Sequence, residues 1–395
     1  MKTLSDYNFS GKKAIVRVDF NVPLNDKFEI TDETRINAVI PTIQKILKDG
    51  GSAILMSHLG RPKNGPEDKS SLKHIVARLS EIFDTEVKFA SDCVGDDAKN
   101  LTSGLKAGEI LLLENLRFYK EEAAGDKTFA KKLADLGADI YVNDAFGTAH
   151  RAHASTAIIA QFFADKCCGF VMQAELDNAK KVLGNPERPF TSIMGGAKVS
   201  DKILIIEKLL DVADNIIIGG GMSYTFVKAM GGEIGESLCE LDKLDLALDL
   251  MKKAEEKGVK LILPDDTICG NDFSNDSEVL EVKRGHIPAG WEGMDIGPLT
   301  RVKFDKIVAE SKTILWNGPM GVAEFSKFAN GTIEMAKSVK NATKAGGYSL
   351  IGGGDSAAAV NNLGFGNDVS YVSTGGGALL EYMEGKVLPG VAALD

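Results

Sequence analysis

Only nine of the 46 basic residues are arginines, and five of those stand where chemistry would need them. Arg17, Arg61, Arg117 and Arg151 follow or close expected strands, and Arg35 stands beside a helix start. Guanidinium forks match phosphate and carboxylate oxygens two at a time and never lose their charge. Five of them on one rim call for a multiply charged anion, best a small phosphorylated acid. Asp19 and Asn21, Ser57 and His58, Glu114 and Asn115, and Asn143 and Asp144 follow the same strands. Surface ion pairing is the plainer reading of the arginines, but it predicts scatter along helix faces rather than accumulation at strand ends. His150 and His153 have no carboxylate or cysteine at metal-ligand spacing, so anion contact or capping suits them better than zinc.

The second half carries glycine runs instead: Gly195-Gly196, Gly219-Gly220-Gly221, Gly352-Gly353-Gly354 and Gly375-Gly376-Gly377. Each opens towards a helical stretch, and helix N-termini with bare amides attract phosphate, so a polyphosphate is expected there. Lys198 and Lys202 are four apart and could share one helical face beside a transferring phosphoryl group. Asp355, after Gly354, fits two roles, a magnesium ligand or a helix N-cap. Neither G-x-x-x-x-G-K-[ST] nor G-x-G-x-x-G occurs, and the H-R-D and D-F-G elements of protein kinases are missing.

These residues must be positioned by an α/β framework, because short β-branched runs alternate with helix-period stretches throughout. Ala14–Val16, Ala53–Met56, Ile110–Leu113 and Ile140–Val142 read as buried parallel strands. Ile36, Val39, Ile40, Ile43 and Ile46 line one helical face, and Leu72, Ile75, Val76, Leu79 and Ile82 line another. A second sheet is expected from residues 191–194, 216–218, 261–263, 313–316, 350–351 and 369–372. Met172 to Leu183 reads as a helix stopped by Gly184-Asn185-Pro186, and it serves as the junction, either a hinge or an ordinary surface helix.

At 395 residues the chain exceeds what one hydrophobic core organises. Expected are a first lobe over 1–170, a hinge over 171–187, a second lobe over 188–380 and a terminal segment over 381–395. The net charge of −10 argues against nucleic acid as a partner. Residues 1–151 hold 22 Lys and Arg against 23 Asp and Glu, so nearly all of the excess negative charge lies in the second half. Five cysteines without zinc spacing suit free thiols in a reducing compartment and are assigned no chemistry. No apolar run is long enough to span a membrane and no signal core opens the chain, so the expected location is the cytoplasm.

Nine ordered strings are similar to those of one family, phosphoglycerate kinase. They are the Val16 to Pro23 run, Ser57-His58-Leu59-Gly60-Arg61-Pro62, Glu114-Asn115-Leu116-Arg117-Phe118, the Asn143 to His153 run, Gly195 to Lys202, Gly219-Gly220-Gly221-Met222, Trp316 to Val322, Gly352 to Ser356 and Ser373 to Ala378. The resemblance implies two Rossmann-like lobes, each a mainly parallel sheet flanked by helices, joined by a hinge helix. It implies reversible transfer of the acyl phosphate of 1,3-bisphosphoglycerate to Mg-ADP, giving 3-phosphoglycerate and Mg-ATP, by a monomer whose C-terminal segment returns to the first lobe. By the same resemblance Asp19, Phe20, Asn21, Arg35, His58, Leu59, Gly60, Arg61, Arg117 and Arg151 hold the phosphoglycerate. Arg35, Lys198, Lys202, Gly352 and Gly375 serve the moving phosphoryl group. Lys202, Glu324, Gly353, Gly354, Asp355 and Ser356 take the nucleotide's phosphates, ribose and metal, with Asp355 on magnesium. Gly219, Gly220 and Gly293 line the nucleoside pocket.

A carboxylate is the leaving group in one direction and an already ionised nucleophile in the other, so no general base is required. A nicotinamide-dependent dehydrogenase and a non-catalytic two-lobed anion binder are the rival classes. The first lacks its fingerprint, and the lysine pair and missing export signal count against the second. Anion and nucleotide on separate lobes imply a closing motion that excludes water. Both ligands together should therefore lower the radius of gyration in solution scattering more than either alone, and an unchanged radius with both bound would remove the hinge.

Overall fold

Strands that are apolar on both faces need helices on both sides, and the chain meets this need twice. The computed structural model describes all 395 residues. It divides into one unit of residues 1–177 with 386–395 and another of residues 178–385.

The first unit carries six parallel strands: β1 (Lys13–Arg17), β2 (Ser52–Met56), β3 (Val87–Ala90), β4 (Ile110–Leu113), β5 (Ile140–Asn143) and β6 (Lys166–Cys168). Their order is β3-β4-β2-β1-β5-β6. Side chains of β2, β4 and β5 are buried along their whole length, as continuous apolar runs predict. The helix Thr34–Lys48 buries Ile36, Val39, Ile43 and Ile46 against the sheet. The second expected helix starts with a 3₁₀ turn, Leu72–Ile75, and continues as Val76–Phe83. β3 and β6 were not anticipated: each is short, and Lys88 and Lys166 interrupt their apolar character.

The second unit repeats the plan with β7 (Phe190–Met194), β8 (Asn215–Ile218), β10 (Lys260–Ile262), β15 (Thr313–Asn317), β16 (Tyr348–Gly352) and β17 (Tyr371–Val372). The order is β10-β8-β7-β15-β16-β17, all parallel. Two further pieces go beyond the sequence reading. β11 (Asp266–Gly270), β12 (Val279–Lys283) and β14 (Glu292–Ile296) form a small antiparallel sheet, and β9 (Glu233–Ile234) pairs with β13 (His286–Ile287). Only β12 shows the alternating burial of a half-exposed strand, with Leu280 and Val282 turned inward, and the polar residues of β11 and β14 hide their strand character in the sequence.

In each sheet the first strand lies between a neighbour reached by the early crossovers and one reached by the later ones. This puts a topological switch point beyond the ends of β1 and β5, and another beyond β7 and β15. The junction helix runs Phe170–Leu183, and the unit boundary at Asp177/Asn178 falls inside it. Gly184 donates to Lys180 O at 2.8 Å to close it. Residues 386–395 belong to the first unit, where Leu388 and Leu394 are buried and Gly390 donates to Ala149 O at 2.8 Å. No helix is long and apolar enough to cross a membrane. All five thiols are free, and burial pushes Cys168 up to about 11 and Cys269 to about 12.

Asp144 follows β5 and anchors the junction helix. Its Oδ1 accepts from the amides of Val171 and Met172 at 2.8 and 3.1 Å, and Thr42 Oγ1 accepts from Phe170 at 3.0 Å. Burial raises the Asp144 carboxyl to about 7 from an ordinary 3.8. Between those values the native state keeps a proton that the unfolded chain has lost, so rising pH favours unfolding there. Asp144→Asn keeps the acceptor and removes the titration. Its stability relative to the parent should climb from pH 4 to about pH 7 and then level off; denaturant titrations showing a constant difference across that range would contradict the assignment.

Candidate active site

The polar residues that follow the strands of the first unit separate into two sets. One set builds the loops. Arg17 is fully buried and bonded internally, which removes it from the expected rim of five forks. Glu114 accepts from Ser71 Oγ at 2.6 Å, Leu72 N at 2.9 Å and Asn115 N at 2.7 Å. Asn115 Nδ2 clamps Leu59 O and Ser70 O at 2.7 and 2.8 Å. Asn143 Nδ2 holds Thr156 O at 3.0 Å. Phe20 and Leu59 belong here too, because both side chains lie in the core. The Phe20 amide donates to Ser57 Oγ at 2.8 Å and its carbonyl accepts from Val22 at 2.9 Å, so it has little left for a ligand.

The other set faces outward. A cavity of about 430 Å³ is lined by Arg61, Lys63, Arg117, Lys120, Arg151 and His153 among others, and no carboxylate lines it. Gly60, at φ +63°, turns the loop so that its carbonyl accepts from Arg117 Nη1 at 2.8 Å while its amide donates to Asn21 Oδ1 at 2.8 Å. Desolvation and then the charges of Arg17 and Arg61 lower the Arg117 pKa from its ordinary value. Burial, and then the charges of Arg117, Arg17 and Arg151, bring His153 down to about 4, and burial with the charges of Arg17, Arg117 and Arg35 holds His58 well below its usual range, so both imidazoles are neutral at pH 7. Arg35 lies in a neighbouring recess with Asn21 and Asp32. Its Nη1 donates to Asn21 O at 2.6 Å and stands 3.7 Å from Asp19 Oδ1. Lys63 and Lys120 escaped the sequence reading, because lysines are common and neither closes a strand.

In the second unit the four glycine junctions do not act alike. Gly195 and Gly196 donate to Asn317 O and Pro319 O at 2.9 and 3.1 Å, and Gly219 and Gly220 donate to Met194 O and Met320 O at 2.8 and 3.1 Å. A Cβ on Gly195 would lie 2.1 Å from Pro319 O, and one on Gly219 would lie 2.5 Å from Met320 Sδ. These glycines let three chain segments touch backbone to backbone at the switch point, and their amides are not bare as expected. The junctions after β16 and β17 differ. In the helix Gly354–Asn362 the amides of Asp355 and Ser356 precede the first helical bond, from Ala357 to Gly353 O at 3.1 Å. Gly375 donates to Ser373 Oγ at 3.0 Å, which leaves the amides of Gly376 and Gly377 ahead of the helix Gly377–Met383. Gly352 is buried, and a Cβ there would meet Leu379 Cδ2 at 2.9 Å.

Lys198 and Lys202 do not share a helical face, because the helix begins only at Ile203 and Gly196 at φ +102° breaks the path before it. Lys198 is exposed, whereas half-buried Lys202 donates to Asn317 Oδ1. Desolvation lowers the Lys202 pKa, opposed by the charges of Asp201, Asp355 and Glu384. Asn317 Nδ2 is buried without a partner beside the Gly353 turn. Glu324 and Asp355 line a cavity of about 360 Å³ whose other walls are mainly apolar, including Pro319, Ile333, Ala359 and Leu363. Gly219, Gly220 and Gly293 are not among its lining residues. The Gly293 amide donates to Ser237 Oγ at 2.8 Å, and Tyr224 packs against its Cα. Ser356 is fully buried and its Oγ accepts from Gly318 N at 2.6 Å, so its hydroxyl holds the loop rather than a ligand.

No group of three His, Cys, Asp or Glu side chains could hold a metal by itself. Asp355 is exposed. One exposed carboxylate beside helix-tip amides fits magnesium, which keeps several waters and takes its other ligands from substrate phosphates.

Two doubly wound units, one with a carboxylate-free cationic pocket and one with free helix-tip amides, define a two-unit α/β protein for oxyanionic substrates. A phosphoglycerate kinase family profile matches residues 4–386. The chain is 54% identical to "Phosphoglycerate kinase" of Porphyromonas gingivalis over 100% of both chains. It is 52% identical to that of Clostridium tetani over 100% of this chain and 98% of the relative. The solved phosphoglycerate kinase of Coxiella burnetii superposes with a TM-score of 0.89 at 39% identity, covering 100% and 98% of the two chains. That of Pyrococcus horikoshii gives 0.85 at 32%, with the same coverage. The chain belongs to the phosphoglycerate kinase family. It is an enzyme, a kinase, and its role in glycolysis follows from the family.

The close backbone contacts of the second unit make a direct prediction. Gly220 has φ +64°, and a Cβ there would lie 2.7 Å from Gly196 N and O. Gly220→Ala should lower unfolding stability by at least about 2 kcal/mol. A denaturant midpoint equal to the parent's would show that these segments are not packed as described.

Proposed function

We propose that the chain catalyses reversible transfer of the 1-phosphoryl group of 1,3-bisphosphoglycerate to Mg-ADP, giving 3-phosphoglycerate and Mg-ATP. The observation that carries this reading is the carboxylate-free pocket built by Arg61, Arg117 and Arg151 in a chain of this family. An anion entering it meets charges that no protein carboxylate neutralises, which suits the fixed 3-phosphate of a phosphoglycerate. Asn21 and Arg35 are placed for the carboxyl end, and Asp19 steadies the Arg35 fork.

The nucleotide belongs to the second unit. Glu324 is the acceptor for ribose hydroxyls, and the apolar walls of the same cavity take flat or aliphatic parts of the nucleoside. Amides of Asp355, Gly376 and Gly377 donate to phosphate oxygens, and buried Ser356 supports them through its hydroxyl on Gly318 N. Asp355 would hold magnesium together with those phosphates, and the bound ion would supply charge neutralisation and a fixed phosphate geometry. Lys202 is positioned by Asn317, while exposed Lys198 is free to follow the moving group. The glycine role assigned to Gly375 passes to its neighbours, since its own amide is engaged by Ser373.

Because the attacking or leaving group is a carboxylate, catalysis consists of alignment and charge neutralisation, with no proton to move. A coupled assay that follows ATP from ADP and 1,3-bisphosphoglycerate tests the activity directly. Arg35→Ala and Lys198→Ala should each lower kcat by about 100-fold or more with small changes in KM. Turnover that survives both replacements would overturn these roles, and absence of ATP formation by the intact protein would overturn the activity.

A further inference from the structure

Arg17 has no part in the pocket, yet its burial is complete, and a charged side chain at 0% exposure requires an explanation. Its Nε donates to Ser155 Oγ at 2.9 Å, its Nη1 to Val18 O, and its Nη2 stands 3.2 Å from His58 Nδ1. The Ser155 hydroxyl donates onward to Glu122 Oε1 at 2.5 Å, and the Ser155 amide donates to Glu122 Oε2 at 2.9 Å. Glu122 is 1% exposed, so the buried guanidinium finds its counter-charge across one hydroxyl.

A guanidinium has five N–H donors and no acceptor, and it stays protonated in proteins. The contact with His58 therefore requires a lone pair on Nδ1, which leaves the ring proton on Nε2. We propose that Arg17 is a positioning residue: through the chain Glu122, Ser155, Arg17 it fixes His58 as the Nε2–H tautomer, a permanent neutral donor to the bound anion. This rests on the phosphoglycerate reading of the pocket and deepens it. His58 then recognises the anion by a directed hydrogen bond, while charge is supplied by the surrounding arginines. Burial first, and then the charges of Arg17, Arg117 and Arg35 facing the ring, disfavour a second ring proton, and the other titratable group beside it, His153, is itself neutral at pH 7.

Nitrogen-15 NMR of the full-length protein with labelled histidine tests this. At pH 7 His58 should show a protonated Nε2 and a lone-pair Nδ1, and Nε2 should shift when 3-phosphoglycerate is added. A proton on Nδ1, or an imidazolium, would overturn the proposal without any variant being made. Arg17→Lys keeps the charge but loses the planar fork. It should give a mixture of tautomers and raise KM for 3-phosphoglycerate about tenfold with kcat within about twofold. A pure Nε2–H ring with unchanged KM in that variant would overturn the positioning role. Binding of 3-phosphoglycerate that leaves Nε2 unshifted would overturn the donor role of His58, and no binding of 3-phosphoglycerate at all would instead overturn the ligand assigned to the pocket.

Discussion

The first unit depends on keeping its buried carboxylates away from the arginines of the pocket. Glu114 and Glu122 accept from backbone amides and serine hydroxyls, and Asp144 Oδ1 accepts from two amides while its Oδ2 is buried without a partner. Had any of them been neutralised by Arg61, Arg117 or Arg151, the rim would have become a set of closed ion pairs. Instead each carboxylate organises a loop and the guanidinium charge stays available. Burial first, and then the mutual repulsion of neighbouring cations, lowers the Arg117 pKa and holds His58 and His153 below the usual imidazole range. A multiply charged anion, the ligand proposed for this pocket, would relieve that repulsion.

The second unit solves a different problem with the same sheet plan. Polyphosphate oxygens need N–H donors more than side chains, and those donors must be held at fixed places. Glycines 195, 196, 219 and 220 provide the fixing by letting backbone lie on backbone around Met320. Glycines 353 and 376, at φ +86° and +51°, start helices whose first amides remain free. One residue type thus packs the switch point and exposes the donors above it.

The architecture was largely legible in the sequence, because strands buried on both faces leave uninterrupted apolar runs. The small antiparallel sheet was not, since half-exposed strands such as Val279–Lys283 show only a weak alternation. At the sites, the sequence located the segments but could not tell which way their residues face. Arg17 closes β1 and Arg117 follows β4, and both belong to the same run of arginines at strand ends in the sequence, yet one is buried in a network and the other edges the pocket. The four-residue spacing of Lys198 and Lys202 suggested a helix, but the helix starts after both. Glycine runs likewise look alike whether a ligand or another chain segment approaches them. Those distinctions belong to tertiary contacts, which local spacing does not encode.

The return of residues 386–395 has a consequence for synthesis on the ribosome. Asn143 Nδ2 reaches Gly390 O at 3.3 Å and Gly390 donates to Ala149 O at 2.8 Å, so the first unit is completed by residues made after the whole of the second. The second unit is therefore complete in sequence before the first is. The segment carrying Arg151 and His153 can reach its final packing only once residues 386–395 have emerged, whatever the speed at which the rest of its sheet assembles.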